Sequence, residues 1–317
     1  MNKKTILAIV VPCYNEEEIL NNSISILRDK IIDLIKRHDI SEKSYLLLID
    51  DGSSDNTWNI IQKHTEKSSR IKGIKLSKNQ GHQYALLSGI NYVEDKCNCL
   101  ISLDADLQDD INTIDEMIEK FNNGYEIVYG VRSNRETDTF FKKFTAETYY
   151  KFMKLVGVNL VFNHADYRLM SNRAVQFFNS FSEVNLFIRG IIPLIGLKST
   201  KVYYKRKKRF AGESKYPLRK MLSFALNGLT SFSIMPLRII SVIGFLVFIL
   251  SSFMSIYIFY IYLFTDSAIP GWSSTVLPIY FIGGIQLLSI GILGEYVGKI
   301  YTETKKRARY FIEEIID

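Results

Sequence analysis

Between Arg238 and Glu295 the chain carries no lysine or arginine, and Asp266 is the only carboxylate between them. Two apolar runs fill that stretch, residues 239–264 and 275–293. A helix needs roughly 20 apolar residues to cross a hydrocarbon core of ~30 Å, so each run is long enough to span a bilayer. The spans are placed at about residues 239–264 and 275–297. Arg238 and the basic region before it, and Lys299, Lys305, Lys306, Arg307 and Arg309 after the second run, share one side. The loop 265–274 has no positive charge. Positive charge stays cytoplasmic, which predicts both termini inside. Gly284, Gly291, Gly294 and Gly298 form a small-residue stripe in the second run, suited to close helix packing within the chain or between copies.

The net charge of +7 therefore belongs to the rest of the chain. Residues 6–11 are too short an apolar stretch for a secretory leader. Cys13, Cys97 and Cys99 make neither a disulfide framework nor a zinc pair, and read as reduced thiols. With 47% hydrophobic residues the chain is not disordered.

The first ~130 residues alternate strand-length apolar blocks with helical patterns. The blocks are residues 6–11, 45–49, 71–76, 100–103 and 127–129; the helical patterns are 17–36, 57–64 and 81–93. Such βα alternation predicts a mostly parallel sheet with helices on both faces, and ligands bound beyond the strands' carboxyl ends. The polar clusters fall there: Pro12-Cys13-Tyr14-Asn15-Glu16, Asp50-Asp51-Gly52-Ser53-Ser54-Asp55, Ser77-Lys78-Asn79 and Asp104-Ala105-Asp106. Residues 139–156 and 218–232 are aromatic or amphipathic helical patterns. Lying just before the apolar runs, they predict helices in the bilayer interface, with core packing as the alternative.

Asp104 and Asp106 project from one face of an extended chain, and hard oxygen donors of this kind suit Mg²⁺ or Mn²⁺ together with substrate phosphates. The bland alternative is a solvated acidic turn. Asp50 and Asp51 end another strand, where a carboxylate can accept from the imide N–H of uracil; Ser54 or Asp55 can instead serve only as a helix cap. The run Lys205-Arg206-Lys207-Lys208-Arg209 reads as a lipid-headgroup patch or a phosphate site. Nucleic-acid binding is disfavoured by the adjoining apolar runs.

Pro12-x-Tyr14-Asn15-Glu16, Asp50-Asp51-Gly52-Ser53-x-Asp55, Asn79-x-Gly81-His82-Gln83 and Asp104-Ala105-Asp106-Leu107-Gln108 together resemble a family 2 glycosyltransferase of the GT-A fold. Asp166-Tyr167-Arg168-Leu169 and Arg209-x-Ala211-Gly212-Glu213-Ser214-Lys215-Tyr216, followed by two spans, narrow the likeness. They resemble the polyprenyl-phosphate glycosyltransferases of the bactoprenol glucosyl transferase type, related to dolichol-phosphate mannose synthase. The likeness covers nearly the whole chain. It implies a cytoplasmic GT-A domain, Rossmann-like, over residues 1–217, an interfacial amphipathic helix over 218–236, and a two-helix transmembrane region with a cytoplasmic tail over 237–317.

By position, the resemblance places the nucleotide sugar among Pro12, Tyr14, Glu16, Asp50, Asp51 and Lys78, with Gln108 near the sugar. It puts metal and diphosphate at Asp104 and Asp106, and the catalytic carboxylate at Asp166. Arg132, Arg206, Arg209, Ser214 and Lys215 become the lipid-phosphate residues. Relatives often carry a tryptophan where residues 189–196 read Arg-Gly-Ile-Ile-Pro-Leu-Ile-Gly, so a sugar-stacking side chain is missing there. The implied reaction is inverting transfer of a sugar, glucose first, from a UDP-sugar to undecaprenyl phosphate at the cytoplasmic face of a bacterial inner membrane. A flippase and a periplasmic or extracellular glycosyltransferase would follow. N-acetylglucosamine or mannose as the sugar, and an idle nucleotide-sugar or lipid-binding scaffold, are the alternatives. Asp166 serves as a base, as a positioning group, or only as a buried partner of Arg168. A processive synthase is a poor fit: Trp58 and Trp272 are the only tryptophans, and neither follows Gln-x-x-Arg.

Overall fold

The computed structural model describes residues 4–133, 164–183, 188–205, 235–264 and 271–317. The strand β1 (Leu7–Cys13) is buried along its whole length. A continuous Leu-Ala-Ile-Val-Val run has no polar face to offer water, so it requires cover on both sides. Its neighbours are β2 (Tyr45–Asp50) and β4 (Cys99–Ser102), both parallel to it and both fully buried. Beyond β2 lies β3 (Ile71–Leu76), again parallel. Because β1 leads to β2 on one side and β4 lies on the other, the chain reverses its winding between β1 and β4. Ligand crevices form at such a switch point.

On the far side of β4 the sheet becomes mixed. β6 (His164–Ser171) runs antiparallel between β4 and β5 (Ile127–Arg132), and β7 (Ser199–Tyr204) adds parallel to β5. The other edge is closed by β8 (Ile312–Ile316), antiparallel to β3. The order across the eight strands is β7-β5-β6-β4-β1-β2-β3-β8. This is the mostly parallel α/β sheet expected from the sequence.

Helices cover both faces. On one side α1 (Glu17–Lys36), α2 (Thr57–Lys67) and α4 (Thr113–Asn122) set Leu20, Ile24, Leu27, Ile61, Ile114 and Met117 against Leu7, Ile9 and Val11. On the other, α3 (His82–Val93) and α5 (Asn172–Asn179) set Ala85, Leu86, Ile90, Val175 and Phe178 against Ala8, Val10 and Leu47. Each fully buried Leu or Ile contributes about 1.5–3 kcal/mol, so β1, packed on both faces, anchors the site. The short helix α6 (Ile188–Ile191) completes the second face, where Ile188 N–H donates to Gln83 Oε1 at 3.1 Å.

Both apolar runs fold as helices, α7 (Met235–Phe264) and α8 (Trp272–Lys305). Counted over the described residues alone, no helix is long and apolar enough to cross a membrane. The helical patterns at 139–156 and 218–232, the 217/218 boundary and the loop 265–270 lie outside the described residues. The sequence reading assigned only a tail after the second run, yet that tail returns to the sheet as β8.

Candidate active site

The loops after β1 and β2 brace each other. Asn15 N–H donates to Ser53 Oγ at 3.0 Å and Glu16 N–H to Thr57 Oγ1 at 2.9 Å. In return Ser54 N–H donates to Asn15 Oδ1 at 2.9 Å, and Asn56 N–H to Glu17 Oε2 at 3.0 Å. Asp55 accepts from Thr57 N–H at 2.9 Å and from Glu17 N–H at 3.1 Å, holding the first turns of two helices at once. The N-cap of α2 is Asn56, without a side-chain cap hydrogen bond, so Asp55 is not the cap itself but braces both helix starts from one residue earlier.

Asp50 and Asp51 turn inward. Asp50 is wholly buried, and its carboxylate accepts from Ser53 N–H at 3.3 Å. Asp51 accepts from Gln80 N–H at 2.8 Å and Gly81 N–H at 2.9 Å. It thereby ties the loop after β3, which carries Lys78, to the loop after β2. Burial pushes both carboxyls up from the usual range, and these amide hydrogen bonds oppose it. Gly52 sits at the crossing with φ +64°, where a Cβ would lie 2.6 Å from Asn79 N. Pro12 is buried beneath this rim, Glu16 is half-buried, and Tyr14 and Lys78 are exposed on it.

β4 ends at Ser102 and the chain turns through Asp104-Ala105-Asp106, so the two carboxylates do not share one face of an extended strand as the sequence led us to expect. Ser23 of α1 donates to the Ala105 carbonyl at 2.7 Å and fixes the turn from below. Leu107 follows at φ +47°, a conformation that costs a non-glycine residue roughly 1–2 kcal/mol. Asp104 and Asp106 remain half-exposed. Gln108, expected near the sugar, is buried, 7% exposed, and its N–H donates to Asp106 Oδ1 at 3.3 Å.

Asp166 on β6 meets this turn. Ser102 at the end of β4 donates to the Asp166 carbonyl at 2.5 Å. The Asp166 carboxylate accepts from Arg168 on its own strand, and from Arg189 of α6 through Nε at 3.1 Å and Nη2 at 2.8 Å. His82 Nε2, at the start of α3, stands 3.6 Å from Asp166 Oδ2 and 3.7 Å from Asp104 Oδ1. Burial works to raise the Asp166 carboxyl, but Arg189, His82 and Arg168 outweigh it and hold it well below the usual carboxylate range. The buried Asp166–Arg168 pair offered as the bland alternative is present, with a second arginine added.

Asp104 shows the opposite balance. Burial and the neighbouring Asp166, Asp109 and Asp106 push its carboxyl up, while His82 opposes. Among the described residues no three His, Cys, Asp or Glu side chains gather into a metal cage. An open carboxylate pair whose charges repel is nonetheless the donor set that Mg²⁺ or Mn²⁺ takes when substrate phosphates complete its shell.

Arg132 ends β5 on the same rim. Its guanidinium lies 3.7 Å from Asp109, and Nε donates to Tyr204 Oη at 3.4 Å. Tyr204 in turn donates to Asp109 at 2.6 Å, and Tyr167 to the Asp110 carbonyl at 3.1 Å. Two strands therefore pin the segment that follows the Asp104–Asp106 turn. The chain leaves β7 at Tyr204 and enters the basic run through Lys205; Arg206, Arg209, Ser214 and Lys215 lie outside the described residues. Arg189, Asp109 and Tyr204 were missed by the sequence reading. Arg189 was findable: it is the one charge in an otherwise apolar stretch from Ile188 to Leu197.

The chain matches the family described as glycosyl transferase family 2 over residues 8–178. It is 48% identical over 97% of its length to a Bacillus subtilis protein named uncharacterized glycosyltransferase YkoT, covering 91% of that protein. It is 35% identical to the prophage bactoprenol glucosyl transferase homolog of Escherichia coli, covering 98% of this chain and 99% of that one. The bactoprenol glucosyl transferase of Shigella phage SfX is also 35% identical, over 97% and 98% of the two chains. Strand-end carboxylates braced around a winding reversal, and relatives matched almost end to end, lead to one assignment: the chain belongs to glycosyl transferase family 2 and is a glycosyltransferase.

Proposed function

We propose that this enzyme transfers a sugar, glucose, from a UDP-sugar to undecaprenyl phosphate at the cytoplasmic face of a bacterial inner membrane, with inversion at the anomeric carbon. The observation carrying the reading is the Asp104–His82–Asp166–Arg189 cluster at the winding reversal, where acidic and basic groups alternate beside Arg132. The reaction must bring an acceptor phosphate against a diphosphate, so charge is its main obstacle. Relatives named bactoprenol glucosyl transferases, 34–35% identical over nearly the whole chain, support the lipid acceptor.

Pro12, Tyr14, Glu16, Asp50, Asp51 and Lys78 frame the nucleotide in this reading. Asp51 works by holding the Lys78 loop in place, and Gln108 works from beneath the sugar. Asp104 and Asp106 hold Mg²⁺ or Mn²⁺, which when bound supplies Lewis-acid neutralisation of the leaving diphosphate. Arg132, with Arg206, Arg209, Ser214 and Lys215, receives the acceptor phosphate. An acceptor oxygen attacks the anomeric carbon as the bond to UDP breaks. A phosphomonoester has a second pKa of about 6, so that oxygen is already ionised at neutral pH. No proton needs removing, and a carboxylate held well below its usual range by two guanidiniums is a poor base. Asp166 positions Arg189 and His82.

Membrane attachment belongs to the same proposal. Helix α7 has 30 residues and so extends about 45 Å at 1.5 Å per residue. Phe245, Leu250 and Phe253 on it, and Leu287, Ile290 and Leu293 on α8, are exposed, which suits lipid rather than water. The glycine stripe of α8 supports contact between copies, and a flippase with an extracytoplasmic glycosyltransferase would use the product.

Membranes containing the protein are incubated with radiolabelled UDP-glucose and undecaprenyl phosphate, and the lipid is extracted. The expected result is labelled lipid that disappears in EDTA and returns with Mg²⁺ or Mn²⁺. Full transfer in EDTA would remove the metal from the reading. Label from UDP-N-acetylglucosamine or GDP-mannose alone would replace the sugar.

A further inference from the structure

Arg168 is 1% exposed, and its Nε and Nη1 have no hydrogen-bond partner among the described residues. Its charge is balanced by Asp166, which it contacts through Nη2. A buried guanidinium without that carboxylate would be strongly destabilising, so Asp166 is committed to Arg168. Arg189 nevertheless grips the same carboxylate through two nitrogens, and its side chain is 36% exposed. Ile188, Gly190 and Ile191 of α6 are buried, which leaves Arg189 as the residue of that turn directed to the rim. One carboxylate thus faces two guanidiniums and the His82 imidazole. His82 is shared with Asp104, so the surplus of cation over carboxylate is confined to the guanidinium pair, and its accessible member, Arg189, is already fixed in orientation. A guanidinium whose plane is fixed in advance is suited to charge-assisted hydrogen bonding to phosphate.

Arg132 is the second accessible guanidinium on this rim, backed by Asp109 and Tyr204 as Arg189 is backed by Asp166. Burial disfavours its charge, and Asp109 and Tyr204 more than restore it.

We propose that Arg189 is a phosphate-binding residue of this site, held in register by Asp166. The proposal rests on the glycosyl-transfer reading for which phosphate it meets: the donor diphosphate or the acceptor's phosphate. Full-length protein in detergent is titrated directly with UDP and, separately, with undecaprenyl phosphate, for the wild type, Arg189→Ala and Arg189→Lys. Loss of a charge-assisted hydrogen bond should weaken one of these affinities roughly tenfold or more in Arg189→Ala, with partial recovery in Arg189→Lys. A loss confined to UDP assigns the diphosphate; a loss confined to the lipid assigns the acceptor. Unchanged affinity for both ligands in both variants overturns the proposal. Both titrations are read without turnover. If the wild type binds UDP but transfers no sugar to lipid, the acceptor reading fails while Arg189 is still decided.

Discussion

At the residue scale, Asp166 separates two mechanisms. Asp166→Asn keeps the shape but strands the buried Arg168 charge, so it should cost about 3 kcal/mol of stability, visible as a lowered thermal midpoint. Transfer should fall but stay measurable, and raising the pH from about 7 to 9 should not rescue it. The sign follows from the direction of the shift. A carboxyl with a depressed folded value stabilises above its ordinary pKa and loses that contribution only as pH falls through the folded value. Since Asp166 lies well below the usual range, no activity limb between about pH 5 and 8 should trace to it. A limb in that window that vanishes in Asp166→Asn would make Asp166 the base. Gly52→Ala is the second residue-scale prediction. The added Cβ would meet Asn79 N at 2.6 Å with φ at +64°, so a loss above roughly 1–2 kcal/mol is expected, together with weaker UDP binding as the Lys78 loop shifts. Unaltered UDP affinity would show that the two loops are not coupled.

At the element scale, β8 is the part that local pattern concealed. Ile312-Glu313-Glu314-Ile315-Ile316 is short and partly charged, and its fit to β3 depends on distant partners. Trp58 Nε1 donates to Glu314 at 3.2 Å, Lys75 pairs with Glu313 at 2.9 Å and Lys72 with Asp317 at 3.0 Å. The central strands were legible because burial on both faces forces continuous apolar runs, as in Leu46-Leu47-Leu48-Ile49. β6 and β7 were not: Tyr167-Arg168 and Tyr203-Tyr204-Lys205 mix charge and aromatics, because the site and the sheet share those residues. The site divides the same way. Acidic residues at strand ends announce themselves by spacing, whereas Arg189 reaches Asp166 from a four-residue helix 23 positions on. Glu314→Pro should break the β3–β8 ladder, since proline offers no N–H. Hydrogen exchange across Ile71–Leu76 should then rise at least tenfold while β1 stays protected; unchanged β3 exchange would mean that β8 contributes no closure.

At the scale of the whole molecule, the proposal that the apolar helices cross a membrane with both termini inside is open to a direct test. Cys13, Cys97 and Cys99 are all buried, so an introduced cysteine can be labelled against a quiet background. Ser267→Cys should react with an impermeant thiol reagent on intact cells, and Lys43→Cys, exposed on the catalytic domain, should react only after lysis. The reverse pattern would turn the enzyme over and move its donor outside.

Order of synthesis gives the sheet's last strand another meaning. Ser77 N–H donates to the Phe311 carbonyl at 3.0 Å, next to Lys78, and Leu76 pairs with Ile312. Everything that those residues meet emerges from the ribosome long before they do, with α7 and α8 translated in between. Until then the edge of β3 presents unpaired amides, a surface prone to pairing with other chains. If α7 and α8 cross a membrane as proposed, only a chain whose two helices return it to the side of the catalytic domain can close its own sheet.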